Sequence, residues 1–294
     1  MPKRLASAIV LLLCGVALAQ TSPQSCANCA VWNVPQAPFQ IYGNSYYVGT
    51  HGLSAILITS DKGHILIDGG LAESASQIAA NIRTLGFRIK DVKLILNSHV
   101  HYDHAGGIAE LQHLSGAQVA ASSWSAEVLT KTGVGRSDPQ FGIIPPVSLI
   151  ENVQVFRDGE DLHVGALLVT AHLTPGHTPG GTSWTWKSCE GKKCLNLVYA
   201  DSLTPVSANG FKFTNSKEYP TAIQDFHESF QFLRSVPCEI LITTHPDISD
   251  LWDRLRQRQE GMQPDAMVNT SACRSLADSA EAALQKRIAA ESAQ

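Results

Sequence analysis

Three histidines and one aspartate fall within six residues of this chain, at His99, His101, Asp103 and His104. Alternate side chains of an extended segment share a face, so His99 and His101 can point in the same direction. A turn into a helix directs Asp103 and His104 elsewhere, so one loop can supply two neighbouring metal positions. Imidazole nitrogen and carboxylate oxygen are ligands that suit zinc. The run therefore predicts a metal site rather than a polar turn without metal.

Two further histidines follow predicted strands. His177 lies in a stiff loop rich in glycine and proline, and His245 stands between Thr244 and Pro246. Each of them alone could be an ordinary turn histidine. Added to the run, they make a set of six ligands, which is three for each of two zinc ions with one position left open for water. Open positions are typical of catalytic zinc sites, so we expect two zinc ions per chain.

Zinc at such a site provides a nucleophile without a reactive serine or cysteine. Two ions about 3.5–4 Å apart can share a hydroxide and hold both ends of a substrate, and zinc lowers the pKa of its water to about 7. The chain also lacks the Gly-x-Ser-x-Gly motif of many serine hydrolases. The pattern therefore favours metal-dependent hydrolysis.

The bulk composition is that of an ordinary globular protein. The chain has 294 residues, of which 44% are hydrophobic and 16% charged, and its formal net charge is −4. A chain of this length can bury a sizeable core. Because there is no surplus of basic residues, we expect no nucleic-acid partner.

The first residues are typical of an export signal. Lys3 and Arg4 precede an apolar stretch over residues 5–18, and Ala17-Leu18-Ala19 forms a small-x-small cleavage site. The alternative is a buried N-terminal helix, whereas a membrane span would need a longer apolar run. We expect a signal peptide at 1–19, a mature periplasmic domain at 20–294, and no membrane association after cleavage.

Six cysteines remain after the predicted cleavage, an even number in an oxidising compartment. Cys189 and Cys194 bracket a tight turn and are expected to form a disulfide, and Cys238 could pair with Cys273 over a longer loop. Cys26 and Cys29 form a Cys-x-x-Cys motif, for which we expect a local disulfide or a reducible pair. A redox site would need a following helix, and residues 30–35 are not predicted to be helical. Zinc capture by these thiols would need two more ligands nearby.

Alternating strand and helix patterns run twice along the chain. They predict strands at 39–42, 46–50, 53–59, 64–68, 92–96, 119–121, 153–156, 161–164, 167–172, 182–186, 195–200 and 240–243, and helices at 72–85, 108–114, 125–129, 218–233, 249–259 and 271–288. This order favours one α/β domain with two sheets face to face and helices outside. Residues 131–149 lack periodicity and are predicted to form a long surface loop. The candidate ligands all follow predicted strands, so we expect them at one edge.

Several motifs together resemble those of the metallo-β-lactamases, and more closely those of their third subclass. They are the run His-Val-His-Tyr-Asp-His-Ala-Gly-Gly, the loop Pro-Gly-His-Thr-Pro-Gly, the segment Tyr-Ala-Asp-Ser-Leu-Thr at 199–204 and the late Thr-His-Pro. The resemblance covers nearly the whole mature chain, including residues 41–44 and 138–141. It implies the αββα sandwich with two mixed sheets. The first subclass has a cysteine where Ser202 stands, and the resemblance implies that His104 replaces it as a ligand.

The resemblance also implies a division of the six ligands and an activity. The first zinc would bind His99, His101 and His177, and the second would bind Asp103, His104 and His245. The activity would be hydrolysis of the β-lactam amide bond of penicillins, cephalosporins and carbapenems by a zinc-bridging hydroxide, which confers antibiotic resistance. Asp103 would orient that hydroxide. A β-lactam would then be the small-molecule partner, and we expect a monomer.

Other residues receive roles from the same resemblance. Ser202 and Thr204 match hydroxyl positions that contact the substrate carboxylate, although both could simply be turn residues at a strand end. Gln140, with Ile143 and Ile144, is expected to touch the side groups of the antibiotic. Asp68 matches an aspartate that supports the site from behind.

One departure and two alternatives stay open. Some close relatives have a cysteine at the position of His51 that bridges to the N-terminal segment, and here Cys29 looks like the replacement partner of Cys26. If Asp201 bridges both metals, a broader hydrolase of lactones or thioesters becomes the better interpretation. The other alternative is a secreted zinc-binding protein without turnover.

Overall fold

Two mixed β-sheets form the framework of the protein. The computed structural model describes residues 26–131 and 133–293, so the predicted signal peptide lies outside the described residues. The first sheet has seven strands in sequential order, and the second has five in the order β12-β11-β10-β9-β8. The strands are β1 Phe39–Tyr42, β2 Ser45–Tyr47, β3 Ile56–Ile58, β4 His64–Ile67, β5 Val92–Leu96, β6 Gln118–Ala121, β7 Val153–Val155, β8 Asp161–Val164, β9 Leu167–Leu173, β10 Thr182–Glu190, β11 Lys193–Ala200 and β12 Ile240–Thr243.

Each sheet combines antiparallel and parallel pairs. Strands β1 to β4 are antiparallel neighbours, whereas β4 to β7 run parallel. In the second sheet only β11 and β12 are parallel. The ends of the parallel strands β5 and β12 each lead directly into a segment that carries candidate ligands.

The helices lie outside the two sheets. They are α1 Cys29–Trp32, α2 Ser74–Thr84, α3 Tyr102–Ala105, α4 Ile108–Ser115, α5 Ser123–Leu129, α6 Ala222–Ser235, α7 Leu251–Gln259 and α8 Ala272–Ser292, with 3-10 turns at Ile89–Asp91, Phe213–Asn215 and Pro246–Ser249. No helix in the described part of the chain is both long enough and apolar enough to span a membrane.

Alternation along the strands explains the layers. Ile56 and Ile58 of β3 face the core between the sheets, where Trp184 and Tyr199 of the second sheet are buried. Leu57, between them in the sequence, belongs to the core under the helices of the first sheet. A strand buried on both faces needs apolar residues at consecutive positions, as this one has. The predicted sandwich of two sheets with helices outside is therefore confirmed.

Several predicted boundaries differ from the structure, as in β2, which covers Ser45–Tyr47 rather than 46–50, and β3, which covers Ile56–Ile58 rather than 53–59. Residues 30–35 were expected to be non-helical, but helix α1 covers Cys29–Trp32, where contacts with the body of the protein outweigh weak local propensity. Helix α6 begins at Ala222 rather than at 218. Strands β10 and β11 extend beyond their apolar stretches because their hairpin continues to the pair Glu190 and Lys193.

Three disulfides are present in the structure. They join Cys26 to Cys29, Cys189 to Cys194 and Cys238 to Cys273. The second closes the β10–β11 hairpin, and the third ties Cys238, two residues before β12, to helix α8. In place of the cysteine of some relatives, His51 stacks its ring on Trp252 at a centroid distance of 4.6 Å.

Candidate metal centre

The six predicted ligands meet at one edge of the sandwich. Strand β5 leads into His99 and His101, and helix α3 follows with Asp103 and His104. His177 comes from the loop between β9 and β10, and His245 follows β12 after one intervening residue. Five of the six side chains are buried, and His245 is the exception, with 23% of its side chain exposed.

Three of the predicted histidine ligands lie close together in one group. We call His99, His101 and His177 the first cluster. Nδ1 of His101 lies 3.2 Å from Nε2 of His177, and the ring of His99 lies 4.7 and 5.0 Å from theirs between centroids. One nitrogen from each ring falls within 4.8 Å of the others, so the three could bind one metal ion.

The second group is centred on a carboxylate. We call Asp103, His104 and His245 the second cluster. Oδ2 of Asp103 lies 3.3 Å from Nε2 of His104 and 3.4 Å from Nε2 of His245. His99 also approaches this group, since its ligand atom lies within 4.8 Å of those of Asp103 and His104. The two clusters are therefore adjacent.

Hydrogen bonds behind the rings of the first cluster orient them. Nδ1 of His99 donates to Oδ1 of Asp201 at 2.7 Å. Nε2 of His101 donates to Oδ2 of Asp138 at 3.1 Å, and Nδ1 of His177 donates to the carbonyl oxygen of Thr204 at 2.8 Å. A histidine that donates from one nitrogen keeps a lone pair on the other. His101 therefore offers Nδ1, whereas His99 and His177 offer Nε2.

A hydrogen bond behind the ring also orients one histidine of the second cluster, His245. Nδ1 of His245 donates to the carbonyl oxygen of Gly52 at 3.1 Å, which leaves Nε2 facing Asp103. Nδ1 of His104 is buried and has no hydrogen-bond partner among the described residues. Nε2 of His104 is the nitrogen that faces the carboxylate of Asp103.

Burial lowers the pKa of two histidines of the first cluster, whereas neighbouring histidines keep Asp103 of the second cluster ionised. Burial, with the neighbouring His104 and His101, holds the pKa of His99 well below its usual value. Burial and His101 likewise lower the pKa of His177 to about 3. Burial alone would raise the pKa of Asp103, but His104 and His245 outweigh it and hold that pKa well below its usual range. Burial alone would lower the pKa of His104, but Asp103, Asp68 and Asp201 outweigh it and raise that pKa. The neutral imidazoles of His99 and His177 and the ionised carboxylate of Asp103 fit a divalent zinc ion, whose binding would displace any proton on His104.

Asp68 supports the site from below, without contacting the clusters by hydrogen bond. Its carboxylate accepts hydrogen bonds from the amide and hydroxyl of Ser98, at 2.7 and 2.6 Å, and from the hydroxyl of Tyr199 at 2.7 Å. Its φ of 60° turns the chain sharply after β4. The next residue, Gly69, packs so closely that a Cβ there would lie 2.7 Å from the amide nitrogen of Ile108. This junction fixes the residue immediately before His99.

The predicted substrate residues lie at the rim of the centre. Nε2 of Gln140 is 3.4 Å from both His101 Nδ1 and His177 Nε2. The exposed Thr204 places its hydroxyl 3.3 Å from Nδ1 of His177. The hydroxyl of Ser202 is buried and lies 2.9 Å from that of Thr244. Of the two predicted loop contacts, Ile143 is 49% exposed and Ile144 is half-buried. Their contacts with substrate stay predictions.

Sequence reasoning assigned no role to two residues that the structure brings to the centre. Asp138 is fully buried and holds His101, but its aperiodic loop carries no sign of which histidine it meets. The ring of Trp32 lies 5.2 Å from that of His245. A tryptophan so close to a Cys-x-x-Cys motif was the available signal, since a large aromatic beside a covalently closed turn needs a surface to pack against.

Comparisons with known proteins agree with this geometry. The metallo-beta-lactamase superfamily model matches residues 48–189. The solved structure of Rm3 metallo-beta-lactamase is 53% identical, has a TM-score of 0.89, and the match covers 91% of this chain and 99% of that one. The chain belongs to the metallo-β-lactamase family. The family predicted from the sequence motifs is thereby confirmed.

Further matches refine the placement among metallo-β-lactamases. MEM-A1, a subclass B3 metallo-beta-lactamase from a soil metagenome library, is 50% identical with a TM-score of 0.87, over 89% of this chain and 99% of that one. This agrees with the predicted third subclass. Among curated relatives, the lactamase-like protein adaB of Aspergillus niger is 28% identical over 135 residues, which is 46% of this chain and 35% of the relative. The chain thus matches only about a third of that relative's length.

Proposed function

We propose that this protein hydrolyses the amide bond of β-lactam antibiotics at a centre of two zinc ions and so confers resistance. The observation that carries the proposal is the pair of adjacent clusters. The ligand atoms of His99, His101 and His177 lie within 4.8 Å of one another, and Oδ2 of Asp103 lies 3.3 and 3.4 Å from Nε2 of His104 and His245. Likeness to subclass B3 metallo-β-lactamases over nearly their full length supports the same activity.

The ligands divide between the ions as the two clusters do. His99, His101 and His177 would hold the first zinc, and Asp103, His104 and His245 would hold the second. When bound, zinc supplies Lewis-acid polarisation of the scissile carbonyl and a water acidic enough to act as nucleophile near neutral pH. Three protein ligands per ion leave the open position that catalytic zinc sites need.

The chain itself orients the reactants. Asp103 is kept ionised by His104 and His245, so its carboxylate can accept a hydrogen bond from the attacking water and aim it. The exposed hydroxyl of Thr204 and the buried hydroxyl of Ser202 would contact the carboxylate of the antibiotic. Gln140 lies over the first cluster, where its amide can contact the side groups of the substrate.

The position of Asp201 disfavours the hydrolase of lactones or thioesters. In that alternative, Asp201 bridges the two metals. Here its Oδ1 accepts the hydrogen bond from Nδ1 of His99, on the side of the ring away from the ligand nitrogen. Asp201 also belongs to neither group of described residues that could hold a metal ion. A binding protein without turnover would not require an open ligand position.

Export and assembly belong to the same proposal. We assign residues 1–19 to a cleaved signal peptide and residues 20–294 to one periplasmic domain that acts as a monomer, without nucleic-acid or membrane partners. Three disulfides in the structure support an oxidising compartment.

Metal content and turnover, measured together, test the proposal. The purified 20–294 protein should contain two zinc ions by mass spectrometry and hydrolyse a chromogenic cephalosporin and a carbapenem. Chelation should abolish both activities, and added zinc should restore them. His101→Ala should lose zinc and turnover, whereas His163→Ala, at an exposed position far along β8, should keep both. Full activity without metal, or turnover of lactones and thioesters alone, would overturn the proposal.

A further inference from the structure

Helix α1 packs directly on the second cluster. Its last residue, Trp32, places its ring 5.2 Å from that of His245 and 6.4 Å from that of Tyr102, tilted by 45° and 47°. His245 is the most exposed of the six ligands, and the indole of Trp32 lies against its ring. Trp32 itself is half-buried.

Hydrogen bonds connect the backbone of Trp32 to His245 through one loop residue, Gly52. The carbonyl oxygen of Trp32 accepts hydrogen bonds from the amide of Gly52 at 3.0 Å and the hydroxyl of Thr50 at 2.7 Å. The carbonyl oxygen of Gly52 in turn accepts from Nδ1 of His245 at 3.1 Å. A Cβ at Gly52 would lie 2.5 Å from Cα of Trp32, so the two backbones are in direct contact. A shift of α1 would therefore move the acceptor that orients His245.

The disulfide Cys26–Cys29 holds this helix in place. Helix α1 has four residues, none of them buried, and a helix this short is unstable by itself. The disulfide closes the turn that leads into α1. The hydroxyl of Tyr102 donates to Sγ of Cys26 at 3.3 Å, and Tyr102 begins helix α3, which carries Asp103 and His104. The closed turn thus contacts the helix that supplies two ligands of the second cluster, and Trp32 contacts the third, His245.

We propose that Trp32, held by the Cys26–Cys29 disulfide, is a positioning residue that sets the affinity of the second cluster for its metal ion. The inference rests on the proposed two-zinc function, and it assigns to the Cys-x-x-Cys motif a part in metal retention. The rings of the first cluster are held by hydrogen bonds to Asp201, Asp138 and Thr204. None of these three residues belongs to α1 or to the loop at residues 50–52. Loosening α1 should therefore weaken one ion and not the other.

The experiment compares zinc affinities in matched variants. We would measure both dissociation constants by competition with a chromogenic chelator for wild type, C26S/C29S, W32A and W32F. The control is C189S/C194S, which removes the disulfide of the remote β10–β11 hairpin. Removal of an outer partner of a metal ligand weakens metal binding by about 10–100-fold, so we expect about tenfold weaker binding of the second ion in C26S/C29S and W32A. W32F keeps an aromatic ring on His245 and should lie within about threefold of wild type, and the control should be unchanged.

Added zinc separates positioning from general damage. In C26S/C29S, excess zinc should restore kcat, and thermal unfolding of the zinc-loaded protein should match that of the control. Unchanged affinity for the second ion in both C26S/C29S and W32A would overturn the inference, as would equal weakening of both ions. If W32A does not fold, C26S/C29S and W32F decide the question. A wild-type protein that binds no second ion would instead refute the proposed function, together with this inference.

Discussion

Asp201 accepts a hydrogen bond of 2.7 Å from Nδ1 of His99, and both side chains are almost wholly buried. His99 follows β5 of the first sheet and Asp201 follows β11 of the second, so this bond crosses between the two sheets. The other carboxylate oxygen of Asp201 is buried without a hydrogen-bond partner in the described part of the chain. Burial raises the pKa of Asp201 well above its usual range, so the defined role of this side chain is that of hydrogen-bond acceptor for the imidazole of a candidate metal ligand.

Replacing Asp201 by asparagine should weaken the first zinc. Asn keeps the size of the side chain but removes the ionisable carboxylate that accepts the hydrogen bond from His99, so we expect about tenfold lower affinity for the first ion. Zinc competition and turnover of a carbapenem would measure this. Asp161→Asn removes a carboxylate that bonds only Thr170 at an exposed site, and it should behave as wild type. If Asp201→Asn abolished binding of both ions, Asp201 would be a bridging ligand and the lactone or thioester interpretation would gain support.

Asp138 should orient His101 through its acceptor oxygen rather than its charge alone. Its Oδ1 also accepts from the amide of Gln140 at 2.8 Å, so Asp138 links the rim loop to the first cluster. We expect Asp138→Ala to weaken the first ion by about 10–100-fold, and Asp138→Asn, which retains an acceptor, to weaken it less. Equal zinc affinity in Asp138→Ala and wild type would show that His101 needs no such support.

Gly176 has to be glycine because of both its backbone and its neighbour. Gly176 immediately precedes the ligand His177. Its φ is 135°, and a Cβ there would lie 2.6 Å from the ring of Phe226. Gly210 also has a positive φ, 87°, but a Cβ there would meet open space. Gly210→Ala should thus cost about 1 kcal/mol of unfolding free energy, a backbone effect alone.

Gly176→Ala should cost more than twice as much and should also reduce zinc content, because relief of the clash displaces His177. Urea unfolding and zinc analysis of the two variants would measure the difference. Equal stability and full zinc content in both variants would mean that the loop moves away from Phe226 without disturbing the centre.

Glu291 should make stability depend on acidity through its contacts with residues 213–214. Its carboxylate accepts from the amides of Phe213 and Thr214, at 3.0 and 2.9 Å, and from Nε of Arg287 at 2.6 Å. Burial alone would raise the pKa of Glu291, but Arg287 and these amides outweigh it and lower that pKa below 4.5. The folded state then binds protons less readily than the unfolded state. The stabilisation is complete above the unfolded pKa and is lost as the pH falls through the folded value.

The test compares Glu291→Gln with wild type at two pH values. At pH 7 the variant should be less stable by about 1.5–3 kcal/mol, the range for hydrogen bonds to a charged group. As the pH falls below 4.5 and on through the folded pKa, the difference should shrink, because the wild-type carboxyl takes up a proton. Glu260→Gln, at an exposed position, is the control. A stability gap that stays constant from pH 7 to pH 3 would contradict the assigned pKa shift.

Much of the framework was predictable because periodicity reports burial. The prediction for β5, residues 92–96, and that for β12, residues 240–243, match the structure residue for residue. Both strands are short and apolar, and each ends in a ligand-bearing segment. The six candidate ligands were predicted as a set because their spacing in the chain is itself chemical information. The structure brings all six together, and their binding of zinc stays a prediction.

What could not be predicted depends on contacts between distant segments. Asp138 meets His101 across 37 positions, and Gly52 meets His245 across 193. Neither pairing leaves a periodic pattern, since each involves one side chain in an irregular loop. Helix α1 was missed for a similar reason, because its stability comes from the loop at residues 50–52 and from a disulfide rather than from its own four residues.

The close approach of Gly69 to the backbone of Ile108 restricts which positions of the protein can accept mutations. Any larger residue at that junction would collide with main chain, which cannot yield as a flexible side chain does. The mouth is different, for Phe141 and Ile143 are 42% and 49% exposed there. Under selection by a new antibiotic, accepted mutations should accumulate around the entrance, while the floor that carries His99 stays constant.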